Sequence, residues 1–219
     1  MIDKIILLCL SLLLKFLDEN SDFFEGTKSD KKTFLSDSSL PKFLELYLLE
    51  VKQDKFMSDL SDTTNFLNNG IVSSSNSLVK SISLFLSYSL AMKIDSLPWD
   101  FDLNPLEKRI EILSQTISGK TELGELLVDN IACSNLHVIN NQFKSLANNF
   151  SENKSVVIQS AKVLSPELKQ KVREYFHGVD KFCYPIFSVQ PNLLGGLRVI
   201  VDGNTVDSSY ANMINNLKV

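Results

Sequence analysis

"PNLLGGLRVIVDGNTVDSS", residues 191 to 209, decides how the last third of the chain folds. Leu197 to Val201 is an apolar, β-branched run of strand length. "DGN", Asp202 to Asn204, separates it from Thr205 and Val206, and positive φ is cheap for Gly203 and tolerable for Asp and Asn, so the two runs read as a hairpin. Asp207, Ser208 or Ser209 can cap a closing helix on which Tyr210, Met213, Ile214 and Leu217 share one stripe. The pair Gly195-Gly196 then reads as conformational: a sharp turn out of the preceding strand, or a bulge where another backbone approaches. A phosphate loop would need the Lys-Ser or Lys-Thr that this stretch lacks. More decisively, nucleotide loops follow a strand and open a helix, whereas this pair precedes a strand.

Upstream, Val156 to Val163 is a β-branched run, followed by Ser165 as a helix cap with Pro166 in the first turn. Leu168, Val172, Tyr175 and Phe176 mark one face of that helix, which Gly178 is expected to end, and Cys183 to Val189 reads as a further strand. The order is β-α-β-β-α. Before it lie leucine- and phenylalanine-rich segments of helical spacing: 2–18, 41–56, 77–93, 105–117, 122–130 and 135–149. The expected fold is α+β, with an all-α helical bundle over residues 1–151 and a small β-α-β-β-α domain over 152–219.

Composition narrows the function. A chain of 219 residues with 44% hydrophobic residues can bury a sizeable core, and a net charge of -4 gives no basic footprint for nucleic acid. Three cysteines, Cys9, Cys133 and Cys183, show neither disulfide-framework nor zinc spacing and read as reduced thiols. Cys133 and His137 lie four apart, but two ligands without a second pair are no metal site. The two histidines, His137 and His177, adjoin no Gly-x-Ser-x-Gly elbow, and His177 reads as a dipole contact at a helix end. No catalytic, metal or cofactor-binding residue emerges. The run from Ile5 to Leu14 resembles a signal h-region, yet Asp3 precedes it, no small-x-small cleavage site follows, and Lys15 leaves it too short to span a bilayer; a buried helix is the better reading.

The C-terminal stretch resembles the signature of the ATP synthase delta subunit family, which includes the oligomycin-sensitivity-conferring protein. Pro191, Leu194, Gly195, Gly196, Gly203, Val206, Asp207 and Ser209 carry the likeness, with Leu217 and the upstream "VVIQSAKVLSPELKQKV". "LGELLVDNIACSNLHVINNQFKSLAN", Leu123 to Asn148, is more weakly similar to the last two helices of that family's N-terminal bundle, with Cys133 as a departure. The family's opening Tyr-Ala-x-Ala-Leu helix is missing, and the span before Leu123 is long.

The resemblance implies a non-catalytic stator connector that needs no cofactor. Its N-terminal domain would grip the alpha subunits of the catalytic head, and its C-terminal domain would meet the b-subunit stalk. It would lie peripherally, without a membrane span, on the cytoplasmic face of a bacterial inner membrane or the matrix face of a mitochondrial one. The leucines between Ile2 and Leu17 would then be bundle core or one wall of a groove for an alpha-subunit helix. A rival reading, a small α+β enzyme or ligand-binding protein with a helical extension, expects a deep pocket with converging polar groups.

Overall fold

In the computed structural model residues 1–117, 121–152 and 155–216 are described, and they form two compact units, Met1–Phe85 with Pro105–Asn135, and Leu86–Asn104 with Leu136–Val219. The architecture is α+β, as the pattern of periodicities implies: helices fill the first two thirds and a four-stranded mixed sheet the last.

The first unit is helical: α1 (Ile2–Glu19), α2 (Lys28–Ser36), α3 (Lys42–Glu50), α4 (Gln53–Asn69), α5 (Ser77–Leu84), α7 (Leu106–Ile117) and α8 (Glu122–Ala132). Two of these depart from expectation. The stretch 41–56 is not one helix, because Val51 and Lys52 are extended; the chain re-enters a helix at Gln53, and α4 then runs through a polar sequence to Gly70. The polar stretch before it holds α2, started by a capping box in which Thr27 and Asp30 bond each other's backbone N–H.

What anchors α4 is a buried acid. Asp59 accepts from Tyr47 Oη at 3.1 Å and from the Ser77 amide at 3.2 Å, and it pairs with Lys55 Nζ at 2.7 Å. Asn76 caps α5 through the Val79 amide and donates to Thr63 Oγ1 at 2.9 Å, so a satisfied polar network ties α3, α4 and α5 together.

In the second unit the helix begun by α5 continues through a π-helical turn (Phe85–Leu90) into α6 (Ala91–Asp95). By length and composition Ser77–Asp95 could cross a membrane, with a mean hydropathy of 1.2, but half of that window is buried inside the chain, as in a core helix. α9 (Leu136–Ala147) follows, opened by the Asp102 carboxylate on the Leu136 amide. It buries Ile139, Phe143 and Leu146, the expected stripe less its first member.

The sheet comprises β1 (Val156–Ser160), β2 (Pro185–Val189), β3 (Leu197–Val201) and β4 (Asn204–Asp207) in the order β2-β1-β3-β4. β1 runs parallel to β2 and antiparallel to β3, so the chain crosses β1 between its second and third strands. Val156 and Ile158 form the core of this sheet, with Val172, Phe176 and Val199 packed against it.

α10 (Pro166–Val179) passes through Gly178 rather than ending there, and its inward face keeps only Val172 and Phe176 of the expected stripe. Arg173 is buried, while Leu168 and Tyr175 are exposed. α11 (Tyr210–Asn216) closes the described chain, and Leu217, the expected last member of its stripe, lies outside the described residues.

Candidate functional site

The signature residues form two groups. Pro191 opens a 3-10 turn (Pro191–Leu193) whose Leu193 is buried, and Leu194 then adopts the left-handed region at φ 60° with its side chain exposed. Gly195 and Gly196 come next at φ 157° and 71°. The Gly195 carbonyl accepts from the Tyr210 amide at 3.1 Å and the Leu197 carbonyl from the Ser208 amide at 2.9 Å, so the glycine pair lies directly against the start of α11. A Cβ on Gly196 would be driven into the Ser208 carbonyl oxygen and would come 3.0 Å from Ser209 Cα. A Cβ on Gly195 would strike the Tyr210 ring instead. Of the two readings open for the pair, close backbone approach is the one the contacts describe.

Asp207 locks this corner. Its carboxylate accepts from Arg198 Nε at 2.8 Å and pairs with Nη2 at 2.7 Å, while its other oxygen accepts from the Ser209 amide at 2.9 Å. The bonds to Ser209, more than the Arg198 charge, hold the Asp207 carboxyl below the usual carboxylate range. Ser209, fully buried, caps α11 by accepting from the Asn212 amide at 3.2 Å.

Gly203 and Val206 belong to the hairpin instead. Asp202 and Gly203 both have positive φ in the two-residue turn that pairs Val201 with Asn204, and Val206 pairs with Val199 while its own side chain is exposed. The corner is thus a scaffold of caps and paired charges. Around it, Tyr210, Met213 and Ile214 lie exposed on one side of α11.

The first unit offers a different surface. α1 is apolar on two sides: Ile5, Ile6, Cys9, Leu13 and Phe16 are buried, while Leu7, Leu10, Leu14 and Leu17 line an open, shallow surface with Ser11, Lys15 and Asp18. Leu7 and Leu14 are 54% and 51% exposed. The α1 leucines are therefore core on one side and an uncovered face on the other. A groove on its opposite flank is lined by Lys4 together with Glu122, Glu125, Leu126 and Asp129 of α8.

Groups that could do chemistry are dispersed. Cys133 follows the end of α8 and His137 sits in the first turn of α9, so they share no helix face, and His137 Nε2 lies 3.0 Å from Asn141 Nδ2. Burial pushes the Cys9 and Cys183 thiols up to about 12, which keeps them neutral and unreactive. His177 stacks on Tyr88 with ring centroids 4.0 Å apart; burial, then Lys181, pulls its pKa down against the opposing pull of Asp180, so its surroundings do not favour the cation that a helix-end dipole contact needs. Among the described residues no group of three or more His, Cys, Asp or Glu is placed to hold a metal ion. A depression of about 270 Å³ beside Phe16 and Phe34 is small and open to solvent.

Sequence reasoning missed one cluster. Arg173 bonds Asp95, with Lys169 4.0 Å from the same carboxylate, and its guanidinium lies 4.5 Å from the Tyr184 ring and 5.2 Å from that of Phe187. The pair is buried, and it joins α6 to α10. The only available signal was an arginine between Val172 and Phe176 on an apolar helix face.

Among known proteins, the family model described as "ATP synthase delta (OSCP) subunit" matches residues 106–219. No curated protein matches the chain.

Proposed function

The chain belongs to the ATP synthase delta (OSCP) subunit family, and from that membership we propose that it ties the catalytic head of an F-type ATP synthase to its b-subunit stalk and catalyses no step itself. Proteins of this family are structural subunits of the peripheral stalk, attached to the membrane-bound complex from outside. In our reading residues 1–151 grip the alpha subunits and residues 152–219 meet the end of the b subunit, on the cytoplasmic face of a bacterial membrane or the matrix face of a mitochondrial one.

The observation that carries the head-gripping part is the uncovered leucine face of α1. A contiguous apolar strip on a helix is costly to leave in water and is the usual seat of a helix laid alongside. The task is mechanical. A connector that resists the torque of a turning shaft needs slow dissociation, which apolar contact along a helix supplies and a catalytic pocket would not. Each interface should bury on the order of 1,000 Å² or more, the scale of stable complexes.

The test is to tag the C-terminus and purify the protein from its own cells in mild detergent. Alpha, beta and b subunits are expected at near-stoichiometric amounts. Their absence sinks the proposal.

A further inference from the structure

Residues 86–104 precede the matched span 106–219, yet they are built into the second unit, with the sheet. Their side chains meet one row of α10. Lys169, Arg173 and His177 stand four residues apart on that helix and so share a face. Tyr88 of the π-helical turn stacks on His177 at 4.0 Å, while Asp95 at the end of α6 bonds Arg173 and lies 4.0 Å from Lys169. The partners occur in reverse order along the two segments, so this stretch runs antiparallel to α10.

The ties continue beyond α10. The Arg173 guanidinium covers the Tyr184 ring just before β2, and Tyr184 Oη donates to Asn140 of α9. Asp102 accepts from the Leu136 amide at 3.3 Å and so holds the start of that same helix. One stretch therefore fastens α10 along its flank and α9 at its first turn. The Asp95–Arg173 link is costly to break, because a cation only 3% exposed, once stripped of its carboxylate, has neither partner nor water.

We propose that Leu86–Asn104 is a strap that closes over α10 and opens only together with it, as a cooperative unit separate from α5, although α5 and α6 lie in one run of helix, Ser77–Asp95. The seam between the two falls at the π-helical turn, between Phe85 and Leu86. Opening the strap bares Lys169, Arg173 and His177 and loosens α10 while the first unit stays folded. A single cut in the chain cannot separate such units, since the second takes its strap from ahead of α7. The proposal concerns the free chain and stands whether or not the head-to-stalk reading does.

Hydrogen exchange on the full chain, read peptide by peptide, tests it. Asp95→Asn removes the charge and keeps the shape. Exchange over 91–104 and 166–179 should quicken together by about a hundredfold, with 77–84 at its wild-type rate. Tyr88→Leu removes only the stack and should quicken the same two peptides about fivefold. This milder variant decides the matter if circular dichroism shows that Asp95→Asn does not fold. The converse variant, Asn76→Ala, strips the cap of α5 and its bond to Thr63. It should quicken 77–84 about tenfold and leave 91–104 and 166–179 as they were.

The proposal is overturned if 77–84 and 91–104 respond as one in the folded variants, or if α10 keeps its wild-type rate when the strap is loosened.

Discussion

Gly196→Ala is the substitution that most directly tests the corner around α11. At φ 71° an L-residue costs about 1 kcal/mol of backbone strain. The added Cβ also runs into the Ser208 carbonyl, which belongs to the backbone and cannot swing away as a side chain can. Relief requires β3 and the start of α11 to part, loosening the bonds from the Ser208 amide to Leu197 and from the Tyr210 amide to Gly195. At about 1 kcal/mol each, these bring the expected loss to about 3 kcal/mol. Gly195→Ala should cost less, because what it meets is the ring of Tyr210, a half-exposed side chain. Gly203→Ala has nothing within 4 Å and keeps only its φ strain at 87°, about 1 kcal/mol. The assay is urea unfolding monitored by circular dichroism, with hydrogen exchange on the peptide spanning Leu197–Val201 to localise the loss. If Gly196→Ala costs no more than Gly203→Ala, the close-approach argument is wrong.

Two further outcomes are expected. Arg173→Met alone leaves Asp95 buried without its main partner and should cost about 3–5 kcal/mol, whereas Asp95→Leu with Arg173→Met should recover much of that; a double-mutant cycle in urea measures the coupling. Acid should destabilise the second unit in two stages. Because His177 has a lowered folded pKa, the unfolded chain takes up its proton first, so stability declines as pH drops below about 6.5, and His177→Gln should flatten that part of the profile. Asp207, also lowered, contributes stability above the ordinary carboxylate value and loses it as pH falls through its folded one, a later loss that Asp207→Asn should remove in thermal unfolding curves across pH.

The hairpin was legible because its cues are local: Asp202-Gly203 can only turn one way between two β-branched runs, and Ser209 caps the helix after them. The strand order was not. Nothing in residues 183 to 201 says that β1 lies between β2 and β3, since that depends on pairing across the sheet. α4 escaped notice because its most buried positions after Phe56 are the polar Asp59 and Thr63, held with Asn76, where a reader looks for apolar residues. α10 misled for the reverse reason. Leu168 and Tyr175 supplied a plausible stripe, but Arg173 with Asp95 decided which way the helix faces. In α1 the leucines run almost all the way round, so spacing alone could not say which were covered.

The π-helical turn at Phe85–Leu90 has a bearing on how much this helix tolerates insertion or loss. Buried positions from Leu78 to Asp95 recur every four residues: Leu78, Ile82, Leu86, Leu90 and Ile94 in one row, Val79, Ser83, Ser87, Ala91 and Asp95 in the next. A plain α-helix slips about 40° behind such a beat with every four residues, roughly 160° over sixteen, which would carry the last positions to the opposite side. The wider turn absorbs that slippage like a leap day in a calendar. Removing one residue from it would restore a regular helix and turn α6 by about 100° relative to Leu86 and Ser87, which are buried in the same unit. Asp95 would then point away from Arg173, so the length of this segment is constrained more tightly than its composition.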